Sequence, residues 1–233
     1  MCTASVVASP TGVRLVCNRD ERVTRPVARP PAVHQTGAGV AIYPVDPQSS
    51  GSWIGVADRA FAAVLLNRTL SPRVRRRSPA TSRGIIVPLV LAQRSFGDAI
   101  EAAARLDVER FDPFALILVD RSRAAGLASD GTMRRYGIDR PLLFTPSSLG
   151  DEMVEPPRRA LFDAMVARAE NPLDGQSHIH RHHWPSARHL SVLMQRRDAT
   201  TVSRTTIDLS ASAMRVRYEP LPAPDTSEPA RVA

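Results

Sequence analysis

Lysine is absent: all 31 basic side chains of the 233-residue chain are arginine, against 23 Asp and Glu, for a net charge of +8. An all-arginine cation set reads either as compositional bias or as a guanidinium surface for phosphate and carboxylate partners, because guanidinium offers a planar fork where ammonium offers a point charge. Cysteine is scarce, with Cys2 and Cys17 alone, which excludes a secreted disulfide framework and makes a reducing, cytoplasmic compartment the expectation. No apolar run approaches the roughly 18 residues that a membrane-spanning helix needs. The first residues lack the basic start and long apolar core of a secretory signal. Aromatics make up only 5% of the chain, and the basic stretch Arg73 to Arg77 has none interleaved. A single-strand nucleic-acid surface needs such stacking partners, so no nucleic-acid partner is expected.

What is present, 43% hydrophobic and 23% charged residues, describes a globular protein long enough to bury about two-thirds of its surface. We expect one domain over residues 1–220 and a disordered Pro- and Ser-rich tail over 221–233. Thr3 to Ala8 and Val13 to Cys17 read as a β-hairpin around Ser9-Pro10-Thr11-Gly12. Residues 22–52 read mainly as loop with a short strand at Val40 to Tyr43. A strand pair follows at Trp53 to Val56 and Ala60 to Leu66, then a basic loop from Pro72 to Arg83. Helical spacing covers Ile86 to Arg94 and Phe96 to Leu106, the second capped by Ser95. Phe114 to Val119 reads as a buried strand and Leu127 to Met133 as a hairpin turning at Asp130-Gly131. Pro157 to Glu170 reads as an amphipathic helix. Leu190 to Gln195, Val202 to Leu209 and Met214 to Tyr218 read as a three-strand meander. This order fits an α+β architecture of antiparallel sheets covered by helices.

The histidines His178, His180, His182 and His183, with His189 nearby, could ligate a metal, yet no cysteine accompanies them. The expectation is an exposed insertion loop, with no metal or other cofactor.

Chemistry concentrates at the start of the chain. Removal of Met1 would leave Cys2 with a thiol beside a free α-amine. That amine titrates near roughly 7.7–8.0 and a free thiol near about 8.5, so one residue supplies nucleophile and base. A hairpin centred on Pro10 and Thr11 places Cys2 opposite Arg19 and Thr3 opposite Asn18; a one-residue slip would put Asp20 there instead. Arginine can stabilise a thiolate, and aspartate can hold an ammonium. The same residues are also compatible with an incidental cysteine beside a solvated turn, with Cys17 filling core space.

Met1-Cys2, the hairpin, Asn18-Arg19-Asp20-Glu21 and Arg25-Pro26 resemble the transport-and-Golgi-organisation family, also called NRDE proteins. Gly51-Ser52-Trp53-Ile54-Gly55, Leu65-Leu66-Asn67-Arg68, Ser82-Arg83-Gly84 and Pro113 to Asp120 resemble further segments of it in order. The resemblance implies a four-layer αββα sandwich of the N-terminal nucleophile hydrolase type. It implies a Cys2 nucleophile, Arg19 and Asp20 as its positioning groups, and Asn67 as an oxyanion-hole donor. Asn18 and Ser148 are implied as substrate-binding, although Ser147-Ser148 stands where the family has Ser-Asn. Arg196, Arg197 and Arg204 compete for the role of a C-terminal site arginine, with Arg204 preferred. The implied activity is hydrolysis of a non-peptide carbon–nitrogen bond in a small molecule. The alternative is non-catalytic handling of a haem-like or acyl-lipid ligand in the same cleft.

Overall fold

A computed structural model describes residues 2–69 and 81–222. Arg73 to Arg77, and all of the expected tail beyond residue 222, lie outside them. The hairpin forms with the expected register: β1 (Cys2–Ser9) pairs with β2 (Gly12–Arg22), Cys2 opposite Arg19 and Thr3 opposite Asn18. Six successive residues of β1 are buried, as in a strand covered on both faces.

The first sheet has the order β10 (Leu142–Phe144), β1, β2, β11 (Ala199–Ser210), β12 (Met214–Pro220). The second runs β3 (Arg29–Thr36), β4 (Gly39–Val45), β5 (Ile54–Ala57), β6 (Phe61–Asn67), β7 (Phe114–Val119), β8 (Arg123–Ala128), β9 (Met133–Gly137). All pairings are antiparallel.

Three apolar clusters define four layers. Between the sheets, Ala4, Val6, Leu15 and Cys17 meet Ile54, Val64, Leu66 and Ile117. Outside the second sheet, α1 (Ile86–Leu91) and α2 (Phe96–Ala104) bury Ile86, Val90, Phe96 and Ala99 against Phe61, Leu65 and Leu116. Ser95 caps α2 as expected, its hydroxyl accepting from the Asp98 N–H at 3.1 Å. Outside the first sheet lie α3 (Asp151–Phe162), a π-helical turn (Asp163–Ala167) and α4 (Pro172–Ile179), packing Phe162, Val166 and Ile179 on Val7. The αββα sandwich is therefore the fold.

Four local expectations are corrected. Residues 22–52, read mainly as loop, hold the strands β3 and β4. Pro30 and Pro31 disguise β3, and they are tolerated because β3 is an edge strand. The helix expected from Pro157 starts six residues earlier, at Asp151. The carbonyls of Glu152 and Met153, which Pro156 and Pro157 leave without a donor, belong to exposed residues that water can serve. Leu190 to Gln195 is not a strand, and the meander reduces to the β11–β12 hairpin. The carbonyls of its first three residues are taken elsewhere, Arg158 donating to those of Leu190 and Ser191 and the Asn18 amide to that of Val192, and only an isolated bridge from Gln195 to Thr200 remains beside β11. Finally, the histidine cluster is only in part an exposed loop: His178 is exposed but lies in α4, His180 at its C-cap is fully buried, and His183 and His189 are exposed beyond the helix.

Close packing of α4 on the π-helical turn depends on Gly175. A Cβ there would meet the Met165 carbonyl oxygen at 1.7 Å, and a backbone atom cannot step aside as a flexible side chain would. Gly175→Ala is expected to destabilise the protein by about 1–3 kcal/mol, read as a lower denaturation midpoint with an unchanged m-value.

Candidate active site

Cys2, Ala4, Cys17 and Arg19 project to one side of the β1–β2 ladder because paired residues share a face and successive ones alternate. Cys2 opens β1 at the end of the inter-sheet core, 6% exposed, and forms part of the wall of a cleft of about 610 Å³. Hydrogen bonding with the Cys17 thiol lowers the Cys2 pKa below the ordinary thiol value. Arg19 acts in the same direction, while burial and Asp20 oppose it. The same contact with Cys2, together with burial, pushes the Cys17 thiol well up. Both cysteines are free, one thiol inclined to ionise and the other held protonated, with the Cys17 thiol also donating to the Asn18 carbonyl at 3.6 Å.

Arg19 reaches Asp46 and Glu21 with its guanidinium, whose carbon lies 4.2 Å above the Trp53 ring. Asp46 also binds Arg25 at 2.8 Å and accepts the N–H groups of Gln48 and Ser49. These contacts fix Arg19 rather than leaving it to swing. Asp46 sits just beyond β4, in the segment whose strands the proline-rich sequence concealed.

Asp20, also in the cleft wall, accepts from the Thr201 hydroxyl at 2.6 Å beside an irregularity in the β2–β11 ladder. Burial raises its pKa, opposed by the positive charges of the chain's amino end, Arg158 and Arg196 and by the Thr201 bond. Asn67 ends β6 in the same wall, half-buried, with no side-chain hydrogen-bond partner among the described residues. Ser148 lies across the cleft, where it accepts from Arg196 Nη1 at 3.2 Å. Thus Cys2, Arg19, Asp20, Asn67 and Ser148 are brought together.

Two expected site residues are placed elsewhere. Asn18 is fully buried on the opposite face of β2, its amide donating to the His180 and Val192 carbonyls at 3.0 Å each. Arg204 is opposite Asn18 in the ladder and donates to Glu219 and to the His180 carbonyl. Neither lines the cleft, and the C-terminal arginine that does is Arg196. Alternation along β2 was the available signal, since it puts Asn18 and Arg19 on opposite faces.

Sequence reasoning also missed Arg158, which is 2% exposed and donates to the hydroxyls of Thr3 and Thr145 at 2.7 Å each. It ties α3 to the residue next to Cys2 and supports a negative charge on Asp20.

A second cavity, of about 420 Å³, lies where the sheets part, with Leu66, Ile117, Tyr136, Leu142 and Phe144 in its walls. Arg68 lines both this cavity and the Cys2 cleft. No helix among the described residues is long and apolar enough to cross a membrane.

Residues 1–145 match the family described as Transport and Golgi organisation 2. A solved structure, the Caenorhabditis elegans N-acylethanolamine-hydrolyzing acid amidase (NAAA) ortholog, superposes with a TM-score of 0.65 at 13% identity. The match covers 95% of this chain and 100% of that one. At that identity the likeness establishes the N-terminal nucleophile hydrolase fold and not the reaction. No curated protein matches the sequence.

Proposed function

Because the chain belongs to the Transport and Golgi organisation 2 family and has the fold of an amidase, we propose that it hydrolyses the amide bond of a small acyl-amide through Cys2. One observation carries this reading: the Cys2 thiol opens a buried strand opposite Arg19, in a cleft that also holds Asp20 and an Asn67 amide with no partner among the described residues. The C. elegans structure bears the name of an enzyme that hydrolyses N-acylethanolamines, which supports an acyl-amide as substrate class.

Loss of Met1 exposes the Cys2 α-amine, whose unperturbed pKa near roughly 7.7–8.0 suits it to take the thiol proton at neutral pH. Sγ attacks the amide carbonyl carbon, and the carbonyl oxygen becomes an oxyanion. The Asn67 side-chain N–H donates to it, a contact that strengthens as charge develops. Asp20 accepts from the resulting ammonium, whose charge in turn favours the ionised carboxylate that burial alone disfavours. Collapse of the intermediate passes a proton from the ammonium to the leaving nitrogen and leaves a thioester. Water, deprotonated by the same amine, then attacks the thioester carbonyl and expels the thiolate.

Intact mass combined with acyl-amide turnover tests this. Protein lacking Met1 is expected to turn over, and a form that retains Met1 to be inactive, because the Cys2 nitrogen is then an amide and the free amine is displaced by one residue. A fully processed protein inert across a panel of acyl-amides would overturn the reading. The 420 Å³ cavity, whose walls mix Leu66, Ile117 and Phe144 with charged side chains, supports a second reading, non-catalytic binding of an acyl-lipid or haem-like ligand, which predicts binding without turnover.

A further inference from the structure

The two walls of the Cys2 cleft treat their arginines differently. On one, Arg19 and Arg25 both bind Asp46, and each lies 3.4 Å from Glu21. Their charge is neutralised within the protein. On the other, Arg196 is half-buried, and its guanidinium donates to the Ser148 hydroxyl at 3.2 Å, the Ser147 hydroxyl at 3.4 Å and the His189 carbonyl at 3.4 Å. All three bonds are long and all three acceptors are neutral. Among the described residues no carboxylate approaches Arg196 within ion-pair distance; Asp20 and Asp198 act on it only from farther away. A cation partly removed from water and left with weak neutral acceptors lacks the partner that would offset its desolvation.

Its surroundings suit one kind of partner. Ser147, 2% exposed, anchors the guanidinium from behind, whereas Ser148 is exposed and lines the cleft with Arg196. A planar anion placed there can accept from the guanidinium fork, which the Ser148 hydroxyl helps to hold, the geometry that distinguishes arginine from lysine. The acyl portion has its own destination, since the neighbouring cavity presents Leu66, Ile117 and Phe144 and meets the cleft at Arg68. Two arginines of that cavity have carboxylate partners, Arg68 lying 3.8 Å from Asp151 and Arg159 2.8 Å from Glu155, as Arg196 does not.

We propose that Arg196, with Ser148, is a carboxylate receptor for the amine half of the substrate, so that the acyl-amide cleaved is an N-acyl amino acid. This deepens the hydrolase reading and rests on it for the word substrate, but the anion site itself does not require turnover.

Alkylation of Cys2 by iodoacetate and by iodoacetamide compares a carboxylate with its neutral isostere at the nucleophile. Rates are read by peptide mass spectrometry and normalised to those of N-acetylcysteine amide. The wild type is expected to favour iodoacetate by about tenfold or more after normalisation, the scale of one charge-assisted hydrogen bond. Arg196→Gln is expected to lose most of that preference, and Ser148→Ala, on an exposed loop where folding is not at stake, several-fold of it. A normalised ratio near one in the wild type, or a preference unchanged in both variants, would overturn the proposal. Hydrolysis of N-dodecanoylglycine against N-dodecanoylethanolamine forms the second arm, with kcat/KM for the glycine conjugate expected to be about tenfold higher and the advantage lost in Arg196→Gln. Should neither amide turn over while Cys2 still prefers iodoacetate through Arg196, the hydrolase reading fails and the anion site stands.

Discussion

Cys2→Ala is expected to abolish acyl-amide turnover, by roughly 10⁴-fold or more given what removal of a covalent nucleophile costs in hydrolases, while the fold persists. Only the sulfur is removed, from a residue at the end of the inter-sheet core rather than its centre. The smaller side chain leaves the β1–β2 ladder and the Arg19–Asp46 pair in place. Thiol labelling provides an internal check. In the wild type, Cys2 should react first, because its thiol pKa is lowered and it borders the cleft. Cys17 should react only on unfolding, being fully buried with its pKa pushed up. The variant should therefore show no fast-labelling thiol. It also separates the two readings of the cleft: a binding protein retains its affinity for an acyl ligand in Cys2→Ala and shows no turnover in the wild type, whereas a hydrolase converts its ligand in the wild type and loses conversion in the variant.

The N-terminal half of this site was legible because hairpin arithmetic is rigid. A two-residue turn centre at Pro10 and Thr11 fixes every opposite pair, and Cys2 faces Arg19 as that arithmetic requires. Strand β7 was likewise legible, since Phe114 to Val119 is one apolar run bounded by turns. Residues whose roles depend on where distant segments pack were not legible. Arg196 and Arg204 have the same side chain, eight positions apart. One borders the cleft because the chain around Leu190 to Gln195 leaves the sheet, and the other is pinned by Glu219 on the neighbouring strand. The choice between them was decided by that departure, which rests on carbonyls captured by Arg158 and Asn18 from elements about 30 and 170 residues away in sequence. Strand β3 escaped because an edge strand tolerates the very prolines that read as loop. His180 escaped because histidines crowded among polar residues carry no periodic signal, and its burial follows from α4 closing over β1 and β2.

Acid is expected to weaken the protein through that histidine. Burial, with Arg204, Arg158 and Arg181 nearby, lowers the His180 pKa to about 3, so the folded state holds a neutral imidazole. The hydrogen bonds agree: the Gln176 amide donates to Ser5 Oγ at 2.9 Å, and Ser5 Oγ can donate to His180 Nε2 at 2.7 Å. His180 Nδ1 then donates to Asn18 Oδ1 at 3.1 Å, leaving the Asn18 amide for its two carbonyls. An unfolded histidine titrates near roughly 6.5. Below that value the unfolded chain binds a proton the folded one refuses, and stability falls with pH by about 1.4 kcal/mol per unit until the folded site titrates near 3. Above pH 6.5 the contribution is fully present. The window from 6.5 to 5 excludes Asp46 and Glu219, whose pKa values are lowered and whose contributions are lost only at lower pH. His182, also lowered by burial, acts in the same direction. Asp20, raised by burial, acts oppositely, gaining stability as it protonates. His180→Gln keeps polar atoms near both partners and cannot titrate. Urea midpoints at pH 7, 6 and 5 should decline more steeply in the wild type than in the variant, and the variant should be the less stable at pH 7, where its hydrogen-bond geometry is imperfect. Parallel declines would mean that His180 accepts a proton in the folded state, which the Ser5–His180–Asn18 chain could accommodate only if the Ser5 hydroxyl proton rotated to another acceptor and Ser5 Oγ accepted from both Gln176 and His180.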